Sequence, residues 1–244
     1  LDEVFRCQEV LVMARLANHP NILALHDVIF EPLKKRLSLV VELVECSMLD
    51  IIEPKSKYQN LTLVECLYLT YQLLSALSHV HSQGYIHRDV KPENCLINLK
   101  TMELKLADFG SAKEPSNGNT PLTEYIATRW YRSPECLLTH GNYGIEMDIW
   151  AVGCVLYELI TKKPLFPGEN EIDQLNCIHS VIGVPNSETL SRMHVSSKII
   201  KISKKQNFAF NSFEASGFEK LLPNVPKDVI DLLEKLLAYA PNDR

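Results

Sequence analysis

A chain of 244 residues is long enough to bury a full hydrophobic core as one large domain or two small ones, and 46% hydrophobic with 23% charged residues is ordinary for a globular protein in water. The net charge of −5 and the absence of any long basic run argue against nucleic acid and anionic membrane as partners. Seven cysteines form no C-x-x-C pair, which reads as reduced thiols in an intracellular protein, and no apolar run reaches transmembrane length.

Residues 1–17 carry Val4, Cys7, Val10, Leu11 and Ala14 in a helical stripe. Asn18-His19-Pro20-Asn21 ends it, because a residue before proline resists the α region. Two strand-like runs follow, 22–29 and 37–43, around the polar turn 31–35. After a short helix over 48–53, Thr62-Leu63-Val64-Glu65 is a capping box that opens a long helix, with an apolar stripe through Leu63, Cys66, Leu67, Thr70, Tyr71, Leu74, Leu77 and His81. Gly84 stands where a terminating C′ glycine belongs. His79 and His81 are two apart, so on a helix they face different ways and make a poor metal pair.

Short strands are expected at 85–86, 95–97 and 104–107, then a polar loop from Asp108 to Glu135. Residues 145–160 are apolar nearly all round, so this helix is buried on every side and Asp148 within it needs several donors unless it sits at an exposed helix start. A turn at 164–168 and a helix over 171–182 come next. Residues 184–224 read as irregular, and Pro226 opens a last helix over 229–237. The chain begins inside a helix and stops at Arg244, so it reads as a fragment.

Within this frame His87-Arg88-Asp89-Val90-Lys91-Pro92-Glu93-Asn94 puts a carboxylate, a lysine and an amide into one short loop, and Asp108-Phe109-Gly110 follows nineteen residues after Asp89. These read as H-R-D-x-K-x-x-N and D-F-G, and on them the chain resembles the protein kinases. The resemblance implies an α+β, bilobal kinase fold, truncated so that it starts at the family's helix αC. Residues 1–44 are then the remainder of the N-lobe with its hinge, and 45–244 a mainly helical C-lobe.

The same resemblance assigns roles. Asp89 is the base that takes the substrate hydroxyl proton, Lys91 neutralises the γ-phosphate of ATP, and Asn94 and Asp108 hold Mg²⁺. Thr128 bonds across Asp89 and Lys91. Glu9 is the αC glutamate (a solvated helix charge is the bland alternative), Val41 the gatekeeper, Glu42 to Val44 the adenine-facing hinge. Leu96 is the floor of the adenine site and Ala107 lines it. His87 and Phe109 pack together, Asp148 holds the catalytic-loop backbone, and Glu135 pairs with Arg244 unless that terminal residue is frayed.

Further matches, Trp130-Tyr131-Arg132-x-Pro134-Glu135, Pro164-Leu165-Phe166-Pro167-Gly168 and the long segment after helix 171–182, resemble the CMGC group of MAP kinases and cyclin-dependent kinases. Asn18 to Leu23, His87 to Asn94, Thr123-Glu124-Tyr125 and Cys136-Leu137-Leu138-Thr139 are most similar to the MAPK/MAK/MRK-overlapping kinase branch. That implies protein substrates carrying serine or threonine before proline, and a cytoplasmic or nuclear location. It implies activation by phosphorylation of Thr123 and Tyr125, by an upstream kinase or by the enzyme itself. Arg88 and Lys113 would receive the first phosphate, with Arg6 replacing the αC arginine that is Gln8 here; Arg129 and Arg132 would receive the second. Ser133 stands where alanine is usual, and no Gly-rich loop or β3 lysine precedes Glu9. A pseudokinase scaffold and a small-molecule phosphotransferase are the competing readings.

Overall fold

Asn18, at φ 72, turns the chain out of the first helix, α1 (Gln8–Arg15), and into an antiparallel ribbon of β1 (Leu25–Glu31) and β2 (Arg36–Val41). Pro32–Lys34 forms a single 3₁₀ turn between the strands, and Lys35 reverses direction at φ 48. The computed structural model describes residues 7–58, 60–115, 129–139, 143–193 and 214–244. Arg6, Thr123, Tyr125 and Thr128 lie outside the described residues. Contacts divide the chain into two units, Leu1–Pro115 and Ser116–Arg244.

In the first unit, β3 (Cys46–Ser47), β4 (Cys95–Asn98) and β5 (Glu103–Leu106) form a three-stranded antiparallel sheet in the order β3-β4-β5. Two reciprocal capping boxes start its helices. Ser47 and Asp50 cap α2 (Met48–Ile52), and Thr62 and Glu65 cap α3 (Leu63–Ser82), each Glu or Asp reaching back to its cap residue's N–H. At the far end of α3, Gly84 at φ 79 donates to His81 O at 2.9 Å and Tyr85 N to Val80 O at 3.2 Å, so a left-handed glycine closes the helix.

Which face of each helix is buried departs from the expected stripes. On α1 the core takes Val10, Val12 and Met13, while Leu11 and Ala14 are exposed. On α3 it takes Cys66, Leu69, Leu73, Ala76, Leu77 and Val80, and Tyr71 is 68% exposed. Both segments are apolar on several spokes, so periodicity alone does not choose. A polar residue does: Gln72 Oε1 accepts from Asn21 Nδ2 at 2.8 Å and from Leu104 N at 3.0 Å, and its Nε2 donates to Met102 O at 2.8 Å. Satisfying that amide on β5 and on the loop after α1 turns the Gln72 side of α3 inward. The expected strand at 85–86 is a single bridge, Ile86 to Lys113.

The second unit is helical: α4 (Pro134–Leu138), α5 (Glu146–Thr161), α6 (Glu171–Ile182), α7 (Ser187–Arg192), α8 (Gly217–Leu221) and α9 (Lys227–Leu236). α5 is buried all round, as its composition requires, with Trp150 fully enclosed. A Cβ on Gly153 would lie 2.6 Å from Leu237 Cγ, so the bare glycine lets the chain after α9 pack against the α5 backbone. α7 and α8 fall inside the stretch expected to be irregular. The cap Asn186, whose Oδ1 accepts from Thr189 N at 2.8 Å, was the overlooked start signal of α7. Among the described residues no helix is long and apolar enough to cross a membrane.

Candidate active site

The loop 87–94 is built around a buried ring. His87 is fully enclosed; its Nδ1 accepts from Asp89 N at 3.2 Å and its Nε2 lies 3.0 Å from Ala107 O. A carbonyl can only accept, so Nε2 carries the proton and the imidazole is neutral in these two bonds. Phe109 meets the ring edge-on, centroids 5.1 Å apart. Arg88 is held at φ 71, a region a side-chain-bearing residue rarely adopts, and this turns Asp89.

Asp89 is then clamped from its own loop. Its Oδ2 accepts from Lys91 Nζ at 2.8 Å and from Asn94 Nδ2 at 3.1 Å, and the same Nδ2 donates to Asp89 O at 2.8 Å. Pro92–Asn94 forms a 3₁₀ turn that sets this spacing, its N-terminal proline needing no amide donor. Asn94 O accepts from Ala107 N at 2.9 Å, and Ile86 and Lys113 exchange backbone bonds at 2.8 and 3.0 Å. The carboxylate loop and the D-F-G segment are thereby stitched together at Ala107 and Lys113.

Asp108 is exposed, at φ 60, with Oδ1 accepting from Gly110 N at 3.3 Å. A Cβ on Gly110 would lie 3.2 Å from Asp108 Oδ1 and 3.8 Å from Glu9 Oε2, so the two carboxylates flank the glycine. Burial, and then the charge of Asp108, push the Glu9 carboxyl above its ordinary value. The donor set suits Mg²⁺. Nδ2 of Asn94 is committed to Asp89, so its Oδ1 could take a cation, and the Asp108 carboxylate would offer a second hard oxygen. Among the described residues no three His, Cys, Asp or Glu side chains converge, so an ion here would need phosphate oxygens or waters to complete its shell.

The residues expected to form the hinge are arranged differently. Glu42 bonds to Ala24 through both backbone and side chain, at 3.0 and 2.8 Å, and pairs with Lys105 at 3.4 Å. A hollow of about 50 Å³, room for water rather than a nucleobase, is lined by Glu42, Leu43, Val44, Asn98, Glu103 and Lys105. Val41 is 37% exposed, and neither it nor Leu96 nor Ala107 lines that hollow. Leu96 pairs with Ser47 and Lys105 in the sheet.

In the second unit, Arg244 lies on Glu135 in a two-pronged pair, NH1 to Oε1 at 2.9 Å and NH2 to Oε2 at 2.5 Å, with both side chains buried. NH1 also donates to Glu146 O and NH2 to Tyr239 O, and the guanidinium sits over Trp150. Asp148 is buried in the first turn of α5, where the helix dipole favours its charge. Arg129 NH1 donates to Glu169 O at 2.9 Å while its buried Nε has no partner among the described residues, and Arg132 approaches Glu171 at 3.6 Å.

Three contributors were not read from the sequence. Gln72 and Asn21 fix β5, which leads into D-F-G, and Gln8 bonds to the chain just past it, Nε2 to Ala112 O at 2.6 Å. An uncharged amide carries no motif, and only the burial of Gln72 on an otherwise apolar face could have flagged it.

A family model described as Protein kinase domain matches residues 3–244. The chain is similar to the MAPK/MAK/MRK overlapping kinase of Homo sapiens, 41% identical over 244 residues covering all of this chain and 55% of that protein. It is similar also to the sporulation protein kinase mde3 of Schizosaccharomyces pombe, 34% identical over 250 residues (99% of this chain, 44% of that protein). Mitogen-activated protein kinase 3 of Arabidopsis thaliana is 36% identical over 232 residues (95% and 61%). The chain thus spans about half the length of the curated relatives it matches.

Proposed function

The chain belongs to the protein kinase domain family, and from that premise we propose that the protein containing it transfers the γ-phosphate of ATP to serine or threonine side chains of other proteins. The named relatives are of the MAP-kinase-like kind that the T-R-W-Y-R-S-P-E and H-R-D segments resemble. The observation that carries the reading is the clamp on Asp89, whose Oδ2 holds Lys91 and Asn94 at 2.8 and 3.1 Å on a loop bonded to the D-F-G segment.

In this reading the substrate hydroxyl oxygen forms the new bond to the γ-phosphorus, the bond to the leaving ADP oxygen breaks, and the hydroxyl proton passes to the Asp89 carboxylate. Lys91, already beside that carboxylate, keeps its charge where phosphate oxygens gather. Asn94 and Asp108 would hold Mg²⁺, which supplies positive charge to the phosphate oxygens when bound. Residues 1–44 and 45–244 serve as the two lobes, with Val41, Glu42, Val44, Leu96 and Ala107 toward adenine. Thr128 would bond beside Asp89.

Proline-directed choice of substrate and activation through Thr123 and Tyr125 are the finer part of the proposal. The buried Nε of Arg129, without a partner among the described residues, supports a receiver for a phosphate on Tyr125. Arg88 and Lys113 would serve Thr123. A cytoplasmic or nuclear site of action belongs to the same proposal; the thiols of Cys95 and Cys136, pushed up to about 12 chiefly by burial, are unreactive.

The test uses the full-length protein with Mg-ATP and paired peptides that differ only in proline or alanine after the target serine. Transfer to the proline peptide, lost on phosphatase treatment and in Tyr125→Phe, is the expected result. No transfer to either peptide or to a general protein substrate would refute the kinase reading. Equal transfer to both peptides, or indifference to phosphatase, would remove the finer part alone.

A further inference from the structure

Beside the packing of Phe109 on His87, two hydrogen-bonded contacts among the described residues fasten the segment 108–113. One is the backbone exchange between Ile86 and Lys113, which any sequence could make. The other is a side-chain bond from a residue 104 positions away: Gln8, the first residue of α1, donates Nε2 to Ala112 O at 2.6 Å. Ala112 N in turn closes a tight turn on Phe109 O at 3.0 Å, so the carbonyl that Gln8 grips belongs to the turn carrying the D-F-G residues. The next residue of α1, Glu9, lies across Gly110 from Asp108. Two adjacent residues of one helix therefore address both ends of the stretch Asp108 to Ala112.

Gln8 does this with an uncharged amide. It donates to a backbone carbonyl within the first unit, and no phosphate is needed to complete the contact. We infer that Gln8 is a positioning residue that docks the D-F-G turn on α1, so that the placement of Asp108 for nucleotide does not depend on phosphorylation of Thr123. The inference deepens the kinase reading above and rests on it for its kinetic part. An ordinary neutral hydrogen bond corresponds to a five- to tenfold change in the docked population when it is lost.

Gln8→Glu is the informative change. It keeps the size of the side chain and suits a helix N-terminus, so fold stability is not at risk, but it removes the donor and sets an acceptor against Ala112 O. Gln8→Arg keeps N–H donors at similar reach. In the full-length protein, hydrogen exchange across 108–113 should quicken about five- to tenfold in Gln8→Glu. kcat/KM for Mg-ATP should fall by about the same factor while KM for the protein substrate holds, and phosphatase-treated samples should show the same ratio. Gln8→Arg should stay within about twofold of wild type on each measure. Unchanged exchange in Gln8→Glu, quickened exchange with unaltered kcat/KM, equal losses in both variants, or a ratio that vanishes after phosphatase would overturn the inference. If wild type transfers no phosphate, the kinase reading fails by itself. The Mg-ATP dissociation constant then decides for Gln8: weaker binding in Gln8→Glu upholds the positioning role, and equal binding ends it.

Discussion

Asp89 and Glu135 are both carboxylates held against a cation, and the two units treat them differently. Glu135 receives both prongs of Arg244, whose NH1 and NH2 groups also reach Glu146 O and Tyr239 O above the Trp150 ring. Both oxygens of that buried carboxylate are engaged, and burial, then the charge of Glu135, pushes the Tyr239 hydroxyl upward. Asp89 instead takes one lysine and one amide on a single oxygen, and the backbone around it is strained at Arg88 and Asp108. A two-pronged buried ion pair fastens a fold, whereas a carboxylate held by the lysine and amide of its own loop, beside strained backbone, suits the chemistry proposed for it.

The largest effect that would break this contrast is expected at Asp108. Asp108→Asn keeps a residue that tolerates φ 60 but removes the charge offered to Mg²⁺, so transfer and productive Mg-ATP binding should fall together by roughly 10²- to 10³-fold with little change in melting temperature. Nucleotide titration and initial rates on one preparation check it. Glu135 should behave in the opposite sense. Removing one partner strands a buried charge, so Arg244→Ala should cost about 3–5 kcal/mol of stability by denaturant unfolding. A loss under about 1 kcal/mol would mean that the pair behaves as an exposed one.

A smaller loss is expected at Gly168. A Cβ there would lie 2.4 Å from Gln174 Cα, and Gly168 N donates to the Gln174 side chain at 3.1 Å, so Gly168→Ala must displace backbone. About 1–3 kcal/mol should be lost. The smallest effect tests whether the first unit has its own titrating weak point. His19 stacks on His79, centroids 4.8 Å apart; burial, then His79 and Lys105, hold its pKa below the ordinary 6.5. The folded chain binds fewer protons than the unfolded one just below pH 6.5, so this part of the stability is present at neutral pH and is lost as pH falls through the depressed value. Melting curves from pH 7.5 to 5 should fall more steeply for wild type than for His19→Asn.

Legibility followed the same division. The catalytic loop, the D-F-G segment and the capping box of α3 could be read because each needs particular residue types at fixed short spacing. The Glu135–Arg244 pair lies 109 residues apart and was legible only through the family resemblance, since nothing local links the two. Helix faces were misread where apolar residues occupy several spokes, as at Leu11 and Tyr71, and there Gln72 and Asn21 settle the rotation. The Gln8 bond was invisible because an amide to a distant carbonyl leaves no pattern in one sequence.

The most direct measurement of the central claim is Asp89→Asn in the full-length protein, with single-turnover transfer, Mg-ATP affinity and thermal unfolding taken on the same sample. Asn keeps the shape of the side chain but cannot take the hydroxyl proton. Transfer should slow by about 10²- to 10⁴-fold while nucleotide affinity and melting temperature stay near wild type. Wild-type transfer by Asp89→Asn, or a loss of activity matched by a loss of fold, would contradict the assignment of this carboxylate to chemistry.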